Sequence, residues 1–432
     1  MELKRPVTFH IEQLGAIKDA TITLKPFMVF SGDSGLGKSY AAFLIHYLYM
    51  LLSSDRLEKF LEKEGFNIED EIEYEKGDKD LGGFSVKSLI DWINEDAVKY
   101  IGYLVGNTYL NGKVNIEIPF SESELKFSYK EELFEIDNKQ YRKIATSLND
   151  QTCDYSLPAT MRGSPPFNIL LRSYINQQLF INQIGFDTTL ILPPGRCTLT
   201  GLTASSQLRV TAGMYAEYLS DMEKIEEISI DVKERSNILE MIESINNGVV
   251  RRDANKLIFE TEDIQIPLVS AASSVKELAP LALFVEKNFL FTSSILFEEP
   301  EAHIHPAKQI KLADLMVAIV NSGAHFQITT HSSYIVDRIN DAINLYKLKQ
   351  TDANKYNTFI QEKGYSEDLV LDPDKVGAYY FYKNDDGTVS VREQSLEEGI
   401  PYDSFHEVIT NEMMSSMDLI NLMRKIKEGD DD

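Results

Sequence analysis

Cysteine is nearly missing from this chain: Cys153 and Cys197 are the only two in 432 residues. So small a supply points to no disulfide framework and no cysteine-based zinc site. Long apolar runs are missing as well. The longest, Tyr40 to Leu52, is interrupted by His46 and is too short to span a bilayer. The first residues carry charge but lead into no secretion-type apolar core. Positive charge is in deficit, with 43 Lys and Arg against 68 Asp and Glu, a net charge of −25. That balance argues against a general nucleic-acid coat and against docking on anionic membrane, while leaving room for a local basic groove. There is no internal repeat and no low-complexity segment. What is left is the profile of a soluble, cytoplasmic folded chain, 43% hydrophobic and 26% charged, long enough for two or three structural units.

One short stretch organises the rest. Gly32-Asp33-Ser34-Gly35-Leu36-Gly37-Lys38-Ser39 fits G-x-x-x-x-G-K-[ST], the phosphate-cradling loop. Its glycines let successive N–H groups turn toward an anion. Lys38 has the reach for β- and γ-phosphates, and the Ser39 hydroxyl suits Mg²⁺. The apolar run Phe27 to Phe30 predicts a buried strand before the loop. Tyr40 to Leu52 predicts a helix after it, whose N-terminus would face the phosphates. The expected ligands are ATP and Mg²⁺.

Along the chain, Val7 to Leu24 alternates around Gly15-Ala16 and predicts a β-hairpin. A charged stretch follows from Asp55 to Asp80, with the acids Glu69 to Glu75 read as solvated surface. Phe84 to Val105 predicts a helix, and Val114–Ile118, Leu125–Tyr129 and Leu133–Ile136 predict short strands. Asn168 to Ile184 predicts another helix. The strand Thr188 to Leu192 ends in Pro193-Pro194-Gly195-Arg196, where an arginine could meet a phosphate. Two short helices are expected over Tyr215 to Ile245, and strands over Val249 to Val269. Ser273 and Ser274 open the helical run Val275 to Phe284. Hydroxyl residues there are good caps, and a free helix N-terminus is also an anion site.

The strand Ser294 to Phe297 ends in Glu298-Glu299-Pro300-Glu301. Three acids at a buried strand end are costly unless something positive is near, and Mg²⁺ is the obvious candidate. His303 and His305 follow; with no cysteine or third histidine nearby in sequence, they make a poor metal pair. Pro306 to Asn321 predicts a helix. The next strand, Ala324 to Ile328, ends in Thr329-Thr330-His331, which brings a histidine toward the other strand ends. Beyond Ile343 a hairpin around Asp385-Asp386-Gly387 and a terminal helix over Phe405 to Ile426 are expected. Asp372 and Asp374 read as turn residues.

The order of these parts resembles the ABC-type ATPases, in the SMC/Rad50-like branch that includes the OLD family. The resemblance rests on the hairpin and phosphate loop, on Glu298-Glu299-Pro300-Glu301-Ala302-His303-Ile304-His305-Pro306, on Thr329-Thr330-His331-Ser332 and on Pro193-Pro194-Gly195-Arg196. Within the branch the chain is most similar to stand-alone ATPase subunits of anti-phage systems such as PARIS, Septu and some retrons. It covers residues 1–53 and 187–345 well, and the rest loosely.

The resemblance implies an α/β fold: an ABC-type (SMC/OLD-like) P-loop ATPase core with an α+β insertion and a helical insertion. Residues 1–53 and 187–210 would form a first lobe, 54–186 the insertion or arm, and 211–248 the helical insertion. Residues 249–345 would form the second lobe and 346–432 a small α/β extension. Gly32, Asp33, Ser34, Gly35, Leu36, Gly37, Lys38, Ser39, Tyr40 and Arg196 would bind nucleotide. Ser39 and Glu298 would hold Mg²⁺. Glu299 would polarise the attacking water, and His331 would be the switch residue near the γ-phosphate. Ser273 and Ser274 would be the signature that meets ATP on another protomer. Val275 stands where such signatures usually have glycine.

The implied function is an ATP-hydrolysing sensor or scaffold. It would oligomerise around ATP and control a separate effector, a nuclease, with DNA or a phage protein as trigger and no membrane. OLD nucleases carry a Toprim domain after the ATPase, and the segment after Ile343 is too short for one. The alternative is a RecF-like DNA repair ATPase, which needs a basic DNA path and salt-sensitive binding. A transporter ATPase and a protein with a dead ATP site are weaker rivals.

Overall fold

The computed structural model describes residues 2–66, 77–159, 166–181, 185–200, 212–227, 237–253, 256–287, 290–397, 399–401 and 403–428. The acidic run from Glu69 to Glu75 lies outside them. Short apolar runs build the centre. Phe27–Gly32, Ser293–Glu298 and His325–Thr329 are buried at every position. Strands buried on both faces belong in a parallel sheet covered by helices. These three do, with Thr188–Leu192 and Val376–Lys383 on either side. The five run parallel in the order Val376–Lys383, Phe27–Gly32, His325–Thr329, Ser293–Glu298, Thr188–Leu192.

Four more strands extend this sheet to nine. Val389–Glu393 pairs antiparallel with Val376–Lys383, then come Ile17–Thr23, Thr8–Leu14 and Gly112–Glu117. Thr8–Leu14 and Ile17–Thr23 are the hairpin expected around Gly15, with Leu14 opposite Ile17. The helix Lys38–Ser53 is buried from Ala41 to Leu52. A helix apolar on all sides must be covered on all sides, and this one lies between the sheet and the helices Val86–Leu104 and Phe167–Leu179.

Two expected boundaries shift. Within 346–432, the hairpin Val376–Lys383 and Val389–Glu393 belongs to the main sheet and adds two strands to it, the first beside Phe27–Gly32. The segment 54–186 likewise gives Gly112–Glu117 to that sheet, beside Thr8–Leu14. Its own sheet has four antiparallel strands in the order Gly77–Ser85, Glu124–Ile136, Lys139–Leu148, Gln151–Pro158. Glu124–Ile136 is one strand where the sequence suggested two. The polar residues Lys130-Glu131-Glu132 stay in register with Ala145, Ile144 and Lys143, and buried Glu131 faces Arg142 at 3.6 Å. The helices Gly213–Glu227 and Asn237–Asn246 and a three-stranded sheet over 249–267 come next.

Candidate nucleotide site at the carboxyl edge of the parallel strands

In parallel sheets ligands gather beyond the carboxyl ends of the strands. Here the loops after Phe27–Gly32, Thr188–Leu192, Ser293–Glu298 and His325–Thr329 all leave that edge. Gly35 and Gly37 turn the first loop with φ of 77° and 86°, and Gly37 is the N-cap of Lys38–Ser53. Left-handed values of this kind favour glycine. Gly32 has a second reason to be glycine: a Cβ there would lie 2.3 Å from the Phe381 carbonyl oxygen. Tyr40 lies over the hairpin turn, its ring 2.8 Å from where a Gly15 Cβ would be.

Lys38 Nζ donates to the carbonyls of Gly32 at 3.0 Å and Asp33 at 2.7 Å, and lies 3.1 Å from His331 Nε2. Burial lowers the Lys38 pKa, against the pull of Glu299 and Asp33. His331 is lowered by burial and by the Lys38 charge, so a neutral ring can accept from the ammonium. The Ser39 hydroxyl donates to Glu298 Oε2. Glu298 is only 2% exposed, and burial raises its pKa to about 7. Its buried Oε1 has no hydrogen-bond partner among the described residues. A buried carboxylate with a spare oxygen is short of positive charge, and this donor pair fits a hard divalent ion such as Mg²⁺.

Glu299 leaves the strand at φ 45°, uncommon for a non-glycine residue and frequent at functional sites. Its N–H donates to the Thr329 carbonyl at 2.9 Å. The third acid is occupied otherwise. Glu301 accepts from the His331 N–H at 2.6 Å and the Thr330 hydroxyl at 2.9 Å, which fixes the backbone that presents His331. A cavity of about 420 Å³ lies among Ser34, Gly35, Gly37, Lys38, Ser39, Tyr40, Glu299, Thr329 and His331. A larger one of about 590 Å³, beside Lys4, Pro26 and Ala324, opens at the amino ends of the same strands, away from these groups.

Arg196 is not in the phosphate cavity, contrary to the expectation for its loop. It is fully buried and spends its donors inside the protein. Nη1 donates to the carbonyls of Pro193 at 3.0 Å and Glu298 at 2.8 Å, and Nη2 to that of Glu299 at 3.3 Å. Nε lies 2.8 Å from Glu277 Oε2, and the guanidinium sits 4.3 Å from the Phe297 ring centre. Arg196 therefore ties the helix Ser273–Lys287 to the acid-bearing strand end. Ser273 and Ser274 begin that helix and are not among the residues lining the cavity. Val275 is buried in the core, so its side chain turns away from the exposed helix end.

The sequence reading missed Glu277, and read Glu301 only as one of three acids at the strand end. Glu301 stood in a recognised acidic run, but its bonds to the next strand end have no sequence signature. Glu277 lies 81 residues from its arginine partner in an ordinary helical stretch.

The family model for the AAA ATPase domain matches residues 7–336. The chain belongs to the AAA ATPase domain family. The matched span takes in the phosphate loop, Glu298, Glu299 and His331, and this AAA ATPase domain is an ATPase. No curated protein matches the chain. Solved structures similar to it include an Smc head bound to the C-winged helix domain of ScpA, 12% identical with TM-score 0.39, covering 92% of this chain and 99% of that one. Another is the SMC head domain from Thermotoga maritima, 9% identical with TM-score 0.34, covering 91% and 100%. A third is the Smc head domain with an extended coiled coil, bound to the C-terminal domain of ScpA derived from Pyrococcus furiosus. It is 12% identical with TM-score 0.39, covering 97% and 99%. Among the described residues of the AAA ATPase domain and its flanks, no helix is long and apolar enough to cross a membrane.

Proposed function

We propose that this ATPase belongs to the SMC-like, OLD-like branch, associates with further copies of itself around bound ATP, and uses that state to control a separate nuclease in anti-phage defence. The reading is carried by the convergence of Lys38, Ser39, Glu299 and His331 on one open cavity, with Glu298 bonded to Ser39 behind it. In this reading Lys38 leaves the Gly32 and Asp33 carbonyls and faces the β- and γ-phosphates. Gly35 and Gly37 let loop N–H groups turn toward them, with Ser34 and Tyr40 completing the wall, while Gly32, Asp33 and Leu36 contribute only as loop backbone. Ser39 and Glu298 hold Mg²⁺, which when bound supplies charge stabilisation to the transferring phosphoryl group. Glu299 accepts a hydrogen bond from the attacking water and orients it. His331, held by Glu301, donates toward the γ-phosphate.

The exposed start of the helix Ser273–Lys287 supplies the remaining wall from a neighbouring copy, because a free helix N-terminus suits phosphate. The test mixes two inactive variants, Ser274→Arg and Lys38→Ala. Mixed assemblies should regain part of the wild-type turnover, since one composite site then has an intact lysine and an intact serine. Mixed assemblies that form and stay inactive at every ratio would count against the shared site.

A further inference from the structure

Beside the Arg196 bracket, three side chains with metal-binding chemistry meet. Cys197 Sγ, a Glu277 carboxylate oxygen and a His303 ring nitrogen lie within 4.8 Å of one another. They come from separate parts of the chain: the short helix Arg196–Leu199, the helix Ser273–Lys287 and the turn after Ser293–Glu298. Cys197 Sγ is 3.9 Å from His303 Nδ1, which is 2.9 Å from Glu277 Oε1. Around a tetrahedral zinc ion at usual bond lengths, those two separations are about 3.6 Å and about 3.4 Å. The third pair, Cys197 Sγ and the Glu277 oxygen, lies within 4.8 Å against about 3.6 Å around such an ion, so movements of about 1 Å would bring the three atoms to ligand positions.

We propose that Cys197, Glu277 and His303 form a binding site for a zinc-class divalent cation, with water as fourth ligand. The residue types select the ion. A thiolate and an imidazole favour zinc over magnesium, whose preferred partners are oxygens. The two halves of the Glu277 carboxylate are already divided. Oε2 faces Arg196 at 2.8 Å, which leaves Oε1 toward the ion and gives the carboxylate the outer partner that metal ligands usually have. Access is one-sided. Glu277 and Cys197 are buried, while the His303 side chain is 53% exposed, so ion and water enter past the imidazole. Cys197 binds as thiolate and its proton passes to solvent. The ion would join the helix Ser273–Lys287 to the turn that also carries Glu299. The site stands apart from the nucleotide reading, since none of its three ligands lines the phosphate cavity.

The test uses the whole reduced protein, stripped of metal, in excess Mg²⁺ so that hard oxygen sites are filled. Co²⁺ is the probe because its visible spectrum reports thiolate ligation. One equivalent should bind with a sulfur-to-cobalt charge-transfer band, and Zn²⁺ should bleach it. Cys197→Ser should remove the band, and His303→Ala should weaken Co²⁺ binding by about tenfold to a hundredfold. Cys153→Ser should leave the spectrum unchanged. In unaltered protein, Zn²⁺ should also slow alkylation of Cys197 relative to Cys153, a readout that needs no variant to fold. A missing charge-transfer band, a band that survives Cys197→Ser, or Cys197 alkylation indifferent to Zn²⁺ would overturn the proposal.

Discussion

The carboxyl edge of the parallel strands buries its charges, whereas the four-stranded sheet over Gly77–Pro158 keeps most of its charges in water, with buried Glu131 the exception. At the edge, Arg196 and Glu277 are both 0% exposed and 2.8 Å apart, and Glu298 is buried with one oxygen that has no partner among the described residues. On the smaller sheet, Lys126–Glu124, Lys130–Glu132 and Lys143–Asp154 form pairs at 3.0–3.4 Å with side chains about half exposed. Distances are similar, so geometry alone does not separate the two. Solvent does: exposed pairs contribute about 0–1 kcal/mol, while stranding one member of a buried pair costs about 3–5 kcal/mol. Close ion pairs therefore mark chemistry or architecture only where water is excluded.

The comparison is tested most severely at Lys38. Lys38→Ala should reduce ATP turnover by at least about a thousandfold with an unchanged circular dichroism spectrum, because the ammonium is the charge placed among the loop carbonyls. Turnover within tenfold of wild type would mean that the buried charges at this edge serve only the fold.

Arg196 comes next. Arg196→Met leaves Glu277 buried without its cation and should destabilise the protein by about 3–5 kcal/mol in urea unfolding. Adding Glu277→Met should recover much of that loss, since two apolar side chains strand no charge. A double variant no better than the single one would show that the Glu298 and Glu299 carbonyl contacts, and not the ion pair, are what Arg196 supplies.

Asp221 gives a smaller and pH-dependent effect. It is buried, accepts from the Ile191 N–H at 3.2 Å, and burial raises its pKa to about 7. The folded state then holds a proton that the unfolded state releases near pH 4, so this contribution to stability is full below about pH 4. It falls as pH rises to about 7 and is flat above. Asp221→Asn should flatten that slope relative to wild type by on the order of 4 kcal/mol across the window. Parallel pH profiles of the two proteins would contradict it. At the small end, Lys143→Ala on the exposed sheet should change stability by about 0.5 kcal/mol or less.

Legibility in the sequence follows the same division. Gly32 to Ser39, the acid-tipped strand at Glu298 and the Thr329-Thr330-His331 ending are local strings, and each could be read without knowing its neighbours. Burial on both faces made Phe27–Phe30 and Ser294–Phe297 readable as central strands. Arg196 was readable as a strand-end arginine but not as a buried one, because its partners Glu277 and Glu298 lie 81 and 102 residues away. The place of Val376–Lys383 beside Phe27–Gly32 has the same cause: pairing across about 350 residues leaves no pattern in either strand. Gly32 records it faintly, as the residue that lets Phe381 come close. Cys197 and His303 escaped for this reason too. A spacing of 106 residues matches no metal-ligand motif.

The central claim is that Glu299 serves the chemical step and that binding belongs to the loop. It is tested by measuring ATP affinity and turnover together in Glu299→Gln, with the assembly state followed by light scattering. The change keeps size and removes charge. Turnover should fall by about 10²- to 10⁴-fold, ATP affinity should stay near wild type, and ATP-loaded protein should accumulate in its associated form. Loss of ATP affinity as deep as that of Lys38→Ala, or turnover near wild type, would contradict the account.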